Sequence, residues 1–149
     1  MKLIGNGFTL EAPAGWQDRT ITTLVGPTGR GGFAPNVVVI REPLPSDVQL
    51  EDYTRSQLER TLAEIPGLEV LSERTMDING IRAVQRLQRF SAGGRRIQQS
   101  QIYALGAGVV LAITCSAQQE EFAASLAAFE TITSSLGLFD PGLGPTTMH

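Results

Sequence analysis

The chain has 149 residues, 42% of them apolar and 18% charged, which suits a single domain with a substantial core and excludes a disordered segment. Its formal net charge of -3 gives no general electrostatic case for nucleic acid. Cys115 is the only cysteine and His149 the only histidine, so an internal disulfide is excluded, and a zinc site or a nucleophile–histidine pair lacks its residues.

The N-terminus, Met1–Gly7, has no long apolar run and no cleavage pattern, and no apolar segment approaches the length of a bilayer span. A cytoplasmic protein without stable membrane insertion is expected. Phe8-Thr9-Leu10-Glu11 alternates as a strand, and Pro13-Ala14-Gly15 turns the chain. Trp16, the only tryptophan, is expected to anchor that turn. Arg19–Val25 is rich in β-branched residues and reads as a half-buried strand. Gly26–Pro35 reads as a glycine-rich loop. Asn36–Arg41 is a strongly apolar strand, ended by Pro43 and Pro45. A helix is expected over Leu50–Ile65, stopped by Pro66-Gly67.

Leu68–Met76, Ile81–Phe90, Arg96–Leu105 and Val109–Cys115 follow, with turns at Asp77–Gly80, Ser91–Gly94 and Gly106–Gly108. They read as an antiparallel meander, the Asn79-Gly80 pair being a strong hairpin signal. Ser116 with Gln119 forms a capping-box pattern for a final helix. Its apolar stripe is Phe122, Leu126, Phe129, Ile132 and Leu136, with Ser125 and Thr133 along it, and Gly137 ends it. Two helices against many strands make the fold class α+β, an antiparallel sheet with two main helices packed on it. The domain is expected to span residues 1–137, followed by a flexible tail over 138–149.

Catalytic chemistry finds little support. Glu51-Asp52 and Glu120-Glu121 fall in first turns of helices, where negative charge is favourable without any catalytic role. The Gly26–Gly32 loop lacks the lysine and the strand–loop–helix context of a phosphate cradle. Cys115 ends an apolar strand and reads as a core thiol. Arg82, Arg86, Arg89, Arg95 and Arg96 lie in a span with no acidic residue between Asn79 and Gln119. They read as the solvated face of two strands, with an acidic partner as the alternative. A non-enzyme with no cofactor and no metal is expected.

The glutamines carry more information. Ile97, Gln99, Gln101, Tyr103 and Leu105 share one face of their strand by period two. Gln57 and Thr61 fall within the apolar face of the first helix. Several amides therefore point into apolar surroundings. They are either satisfied within the fold or held for a partner that accepts hydrogen bonds from an apolar groove.

The segments Pro13–Thr20, Asn36–Arg41, Tyr53 with Gln57-Leu58, Pro66-Gly67, Asn79-Gly80 and Gln98–Tyr103 resemble the DcrB-related family, and within it most resemble the Eag-type chaperones of type VI secretion effectors. The resemblance runs from about Phe8 to Leu136. It implies a fold similar to the Mog1/PsbP group. It also implies a homodimer that holds the N-terminal transmembrane helices of a secreted effector and shields them before loading into the spike complex. The positions carried over for that grip are the apolar-face residues Ile21, Thr23 and Val39 and the glutamines Gln57 and Gln101. Thr23 departs from the aliphatic residue usual there. The competing expectation is a DcrB-related module with another protein partner or a structural role.

Overall fold

The computed structural model describes residues 1–139. Its elements in chain order are β1 (Lys2–Ile4), β2 (Thr9–Glu11), β3 (Ile21–Val25), β4 (Asn36–Pro43), α1 (Leu50–Glu64), β5 (Glu69–Ile78), β6 (Ile81–Ala92), β7 (Arg95–Leu105), β8 (Val109–Gln118), a single 3-10 turn (Gln119–Glu121) and α2 (Phe122–Ser134). β3 to β8 form one antiparallel sheet in the order β3-β4-β8-β7-β6-β5. β1 and β2 form a separate two-stranded ribbon. Residues 140–149, most of the expected tail, lie outside the described residues.

The expected meander is present. β5 to β8 are sequential neighbours, and the β5–β6 turn places Asn79 at φ 53° and Gly80 at φ 82°. Two successive left-handed residues are what a tight hairpin matched to the strand twist requires. Asn79 has a second task here. Its Nδ2 donates to the carbonyls of Ser134 at 2.7 Å and Leu136 at 3.1 Å. The hairpin thereby satisfies carbonyls left open at the end of α2.

The helices lie on opposite faces of the sheet. On one face, α2 presses Phe122 and Phe129 onto Val37, Ile102, Ala104, Ile113, Cys115 and Ala117. On the other, α1 packs Leu50 and Tyr53 against Val84, Tyr103 and Val110. Period two along β7 sorts the residues: Ile102 and Ala104 face α2, while Tyr103 and Leu105 face α1. The architecture is the α+β sandwich expected from the sequence.

Three local expectations are overturned. Ser116 caps no helix; it is a strand residue opposite Gln99, because the β7–β8 ladder continues to Gln118. Leu126 is exposed, since it lies at the rim of a stripe centred on Phe122, Phe129 and Ile132. Trp16 is 70% exposed, and its recorded tie to the turn is a backbone N–H donated to Pro13 O at 3.3 Å.

Candidate functional site

α1 covers only half of its face of the sheet. It sits over β6 and β7, where Tyr53 meets Tyr103 edge to face at 5.8 Å. Tyr53 also donates its hydroxyl to Glu42 Oε2 of β4 at 2.6 Å. Burial and this carboxylate both hold the Tyr53 hydroxyl well above its ordinary pKa. Beyond that contact, no helix among the described residues covers this face of β8, β4 and β3.

The uncovered strip is apolar. Strand register places Ile21 beside Ile40 and Ala112, and Thr23 beside Val38 and Thr114. These residues are half-buried or exposed, and Ile21 and Val25 reach 58% and 67% exposure. Together they form a strip of the sheet face that runs from the Tyr53–Glu42 contact, at the Ile40 end, toward Asn36 and Ser116.

Gln101 borders this strip on β7. It is 8% exposed, and the Thr114 hydroxyl donates to its Oε1 at 2.6 Å. Its amide NH2 donates to no group among the described residues. The neighbouring amides donate inside the fold: Gln88 donates to Gln99 Oε1 at 2.8 Å, and Gln99 donates to Ser116 Oγ at 3.0 Å, while the buried Gln88 Oε1 has no partner among the described residues. Gln57 lies on α1, one turn on from Tyr53 and on the same side of the helix. The recorded bond at Gln57 is to its main chain, where the Thr61 hydroxyl donates to the Gln57 carbonyl at 2.8 Å.

The structure thus places Ile21, Thr23 and Gln101 on the sheet face that α1 packs against, and carries Gln57 on α1 itself. Val39 is not with them. It pairs with Ile113 and packs into the core beneath α2, on the opposite face. A one-residue step along a strand reverses the face, so Val38 and Ile40 are the β4 residues on the face of Ile21 and Thr23.

Arg86 is the residue of the α1 face that composition concealed. It is not part of a solvated arginine face: it is 1% exposed, pinned under α1. Its Nη2 donates to Thr54 O at 2.9 Å, its Nε approaches Glu73 Oε2 at 3.4 Å, and its guanidinium carbon lies 5.6 Å from the Tyr103 ring centroid. The β6 position opposite Gln101 is the signal that could have revealed it, since period two assigns that position to the α1 face. On the other face, a cleft of about 770 Å³ separates α2 from the β3–β4 loop, lined by Leu24, Val37, Ala128, Phe129 and Ile132.

Among the described residues, no group of three His, Cys, Asp or Glu is placed to hold a metal ion. No helix among them is long and apolar enough to cross a membrane. Burial raises the Cys115 thiol to about 11, which keeps it protonated near neutrality. The arrangement is suited to binding an apolar surface.

Comparison with known proteins bears on the fold and the family. Effector EagT6 of Pseudomonas aeruginosa is 27% identical over 94 residues, 63% of this chain. The matched segment spans 65% of that relative, a little under two thirds of its length. Among solved structures, a Pseudomonas aeruginosa protein of unknown function, PA94, is similar with a TM-score of 0.80 at 21% identity, covering 94% of this chain and 97% of that one. Cyanobacterial PsbP from Synechocystis gives 0.57 at 15% identity, covering 87% and 99%. LpqN of Mycobacterium tuberculosis, involved in cell envelope biogenesis, gives 0.54 at 17% identity, covering 79% and 82%. At such identities the structural likenesses establish the fold alone, and it is the PsbP-like fold. The family model described as DcrB reaches further, matching residues 8–135 and so taking in every strand of the large sheet and both helices. The chain belongs to the DcrB family.

Proposed function

We propose that this protein is a chaperone or adaptor for a type VI secretion effector. It binds the effector's N-terminal transmembrane helices in the cytoplasm and shields them, as a homodimer, until loading into the spike complex. The observation that carries the proposal is the half-covered α1 face, an apolar floor bordered by the free amide of Gln101. The likeness to Effector EagT6 and the sequence resemblance to Eag-type chaperones supply the class of partner.

The physical task fits such a groove. A transmembrane helix in water exposes its full apolar surface at about 25 cal/mol per Å². A floor of Ile21, Val38 and Ile40 covers part of that surface. Amides at Gln101 and Gln57 donate to small polar side chains or frayed carbonyls of the helix, which apolar contacts alone would leave unpaired. The role is binding without catalysis.

The second reading is a DcrB module with a different protein partner. It draws on the position of Val39, which is on the face opposite to Ile21, Thr23 and Gln101. Co-expression with the N-terminal apolar segment of an effector encoded beside this protein separates the two. A soluble complex supports the chaperone. An insoluble segment with no complex removes it and leaves the second reading.

A further inference from the structure

Cross-strand register divides the uncovered strip into transverse rows. The first joins Ile21, Ile40 and Ala112 and is apolar. The second joins Thr23, Val38 and Thr114 and ends at Gln101. The third joins Val25, Asn36 and Ser116 and ends at Gln99. In the second row the Thr114 hydroxyl is spent on Gln101 Oε1. The Gln101 NH2 and the hydroxyl of the exposed Thr23 meet no partner among the described residues. In the third row Ser116 Oγ accepts from Gln99 at 3.0 Å, and its O–H donates to no group among the described residues. Asn36 spends its Nδ2 on Ala34 O at 3.2 Å, and its Oδ1 accepts from no group among them. Each of these two rows therefore offers a donor and an acceptor on a surface that is otherwise apolar.

We propose that these two rows select the guest: the strip takes an apolar helix that carries two small polar side chains four residues apart on one side. The proposal rests on the chaperone reading and names the chemistry of the segment accepted. Spacing carries it. Rows two residues apart along a strand are separated by about 6.8 Å. Residues four apart in a helix share a side and lie about 6 Å apart along its axis. The strip is longer along its strands than across them. Asn36 to Glu42 spans roughly 20 Å, whereas β3, β4 and β8 together span about 10 Å. A helix of ~10 Å diameter therefore lies lengthwise on it. That sets one polar side chain of the guest over the Thr23–Gln101 row and the next over the Asn36–Ser116 row.

Serine, threonine and asparagine suit both rows, because each of these side chains donates and accepts. One turn further along the guest, the facing residue meets Ile21, Ile40 and Ala112 and is aliphatic. A helix aliphatic throughout would cover Gln101 and Ser116, 8% and 6% exposed, and leave their donors unpaired. The rows thus reject the wrong helix as well as hold the right one.

Two lysine-flanked synthetic helices of about 20 residues test this. Both consist of leucine and alanine with two serines, placed four residues apart in one and two apart in the other, so that composition is equal and only the second splits the pair between sides. Fluorescence anisotropy with the full chain is expected to show about tenfold tighter binding of the first, the worth of one hydrogen bond. Thr23→Val with Ser116→Ala is expected to remove that preference. Should Ser116→Ala disturb the β7–β8 ladder, Thr23→Val alone, at an exposed position, is expected to reduce the preference to about threefold. Equal binding of both helices to the wild type overturns selection by the rows and leaves the chaperone reading standing. A preference untouched by the substitutions overturns it too, since the rows are then not its source. Binding of neither helix removes the chaperone reading and the selection with it.

Discussion

Thr114 donates its hydroxyl to Gln101 Oε1 at 2.6 Å, from directly opposite on the neighbouring strand. The bond fixes which end of the amide is spent. The carbonyl oxygen serves the fold, and the NH2 remains available at the border of an apolar floor. A residue held this way costs little to keep in place and can still offer a donor to a guest.

This division of roles predicts the behaviour of Gln101→Ala and Gln57→Ala. Each is expected to weaken binding of an apolar client helix by about tenfold, the loss of roughly one hydrogen bond. Gln101→Ala also leaves the Thr114 hydroxyl without its acceptor and is expected to lower stability by about 1 kcal/mol. Titration calorimetry or fluorescence anisotropy beside urea unfolding reads both effects. Variants that unfold outright would make these amides core struts instead.

Two substitutions at Arg86 are expected to differ in their cost. Arg86→Ala opens a cavity beneath α1 and removes the side-chain donor to Thr54 O, which keeps its intrahelical bond, at a cost of about 2–4 kcal/mol. Arg86→Met fills the same space without a buried charge and is expected to cost far less, or to stabilise, because desolvating a cation offsets much of its pairing. Denaturant midpoints of the two variants test this; equal losses would contradict it.

Asn79 joins a left-handed backbone position to the end of α2. Asn79→Ala removes both donations to Ser134 and Leu136 and strains φ 53°. It is expected to cost about 1–2 kcal/mol. Faster amide exchange in the last turn of α2 should accompany the loss. Exchange confined to the β5–β6 hairpin would show that the tie to α2 is unimportant.

Alkaline pH is expected to destabilise the fold. The Cys115 thiol moves from 9.0 to about 11 in the folded chain because burial penalises the thiolate, and burial raises Tyr53 and Tyr103 as well. Groups whose folded pKa lies above the unfolded value contribute stability that is full below the unfolded pKa and lost as pH rises. For Cys115 the loss runs from about pH 9 to about pH 11 and is on the order of 2 kcal/mol. Urea unfolding at pH 8 and pH 10.5 measures it, and Cys115→Ala should flatten the profile. A profile unchanged by that substitution would contradict the assignment.

Much of the scaffold was legible because it is written in alternation and turns. Period two along Ile97–Leu105 put Gln101 on one face with Tyr103 and Leu105, which the structure shows to be the α1 face, and Asn79-Gly80 marked its hairpin. Val39 was illegible for a definite reason. Val37 to Ile40 are all apolar, so nothing in that run distinguishes one face from the other. Only pairing with β8 decides it. Ser116 carried a helix-capping pattern, but the ladder with β7 claimed its backbone first. Arg86 broke the rule that charges point outward, since Thr54 O, Glu73 and Tyr103 gather around it only after folding.

The groove itself can be addressed directly by photo-cross-linking. Ile21→Cys on the groove floor and Leu126→Cys on the exposed side of α2 are each labelled with a photoreactive maleimide, with Cys115 buried and unlabelled. Each is then irradiated with the N-terminal apolar segment of a neighbouring effector. A covalent adduct is expected from position 21 and none from position 126. An adduct from position 126 alone, or none from either under conditions where the segment stays in solution, would contradict it.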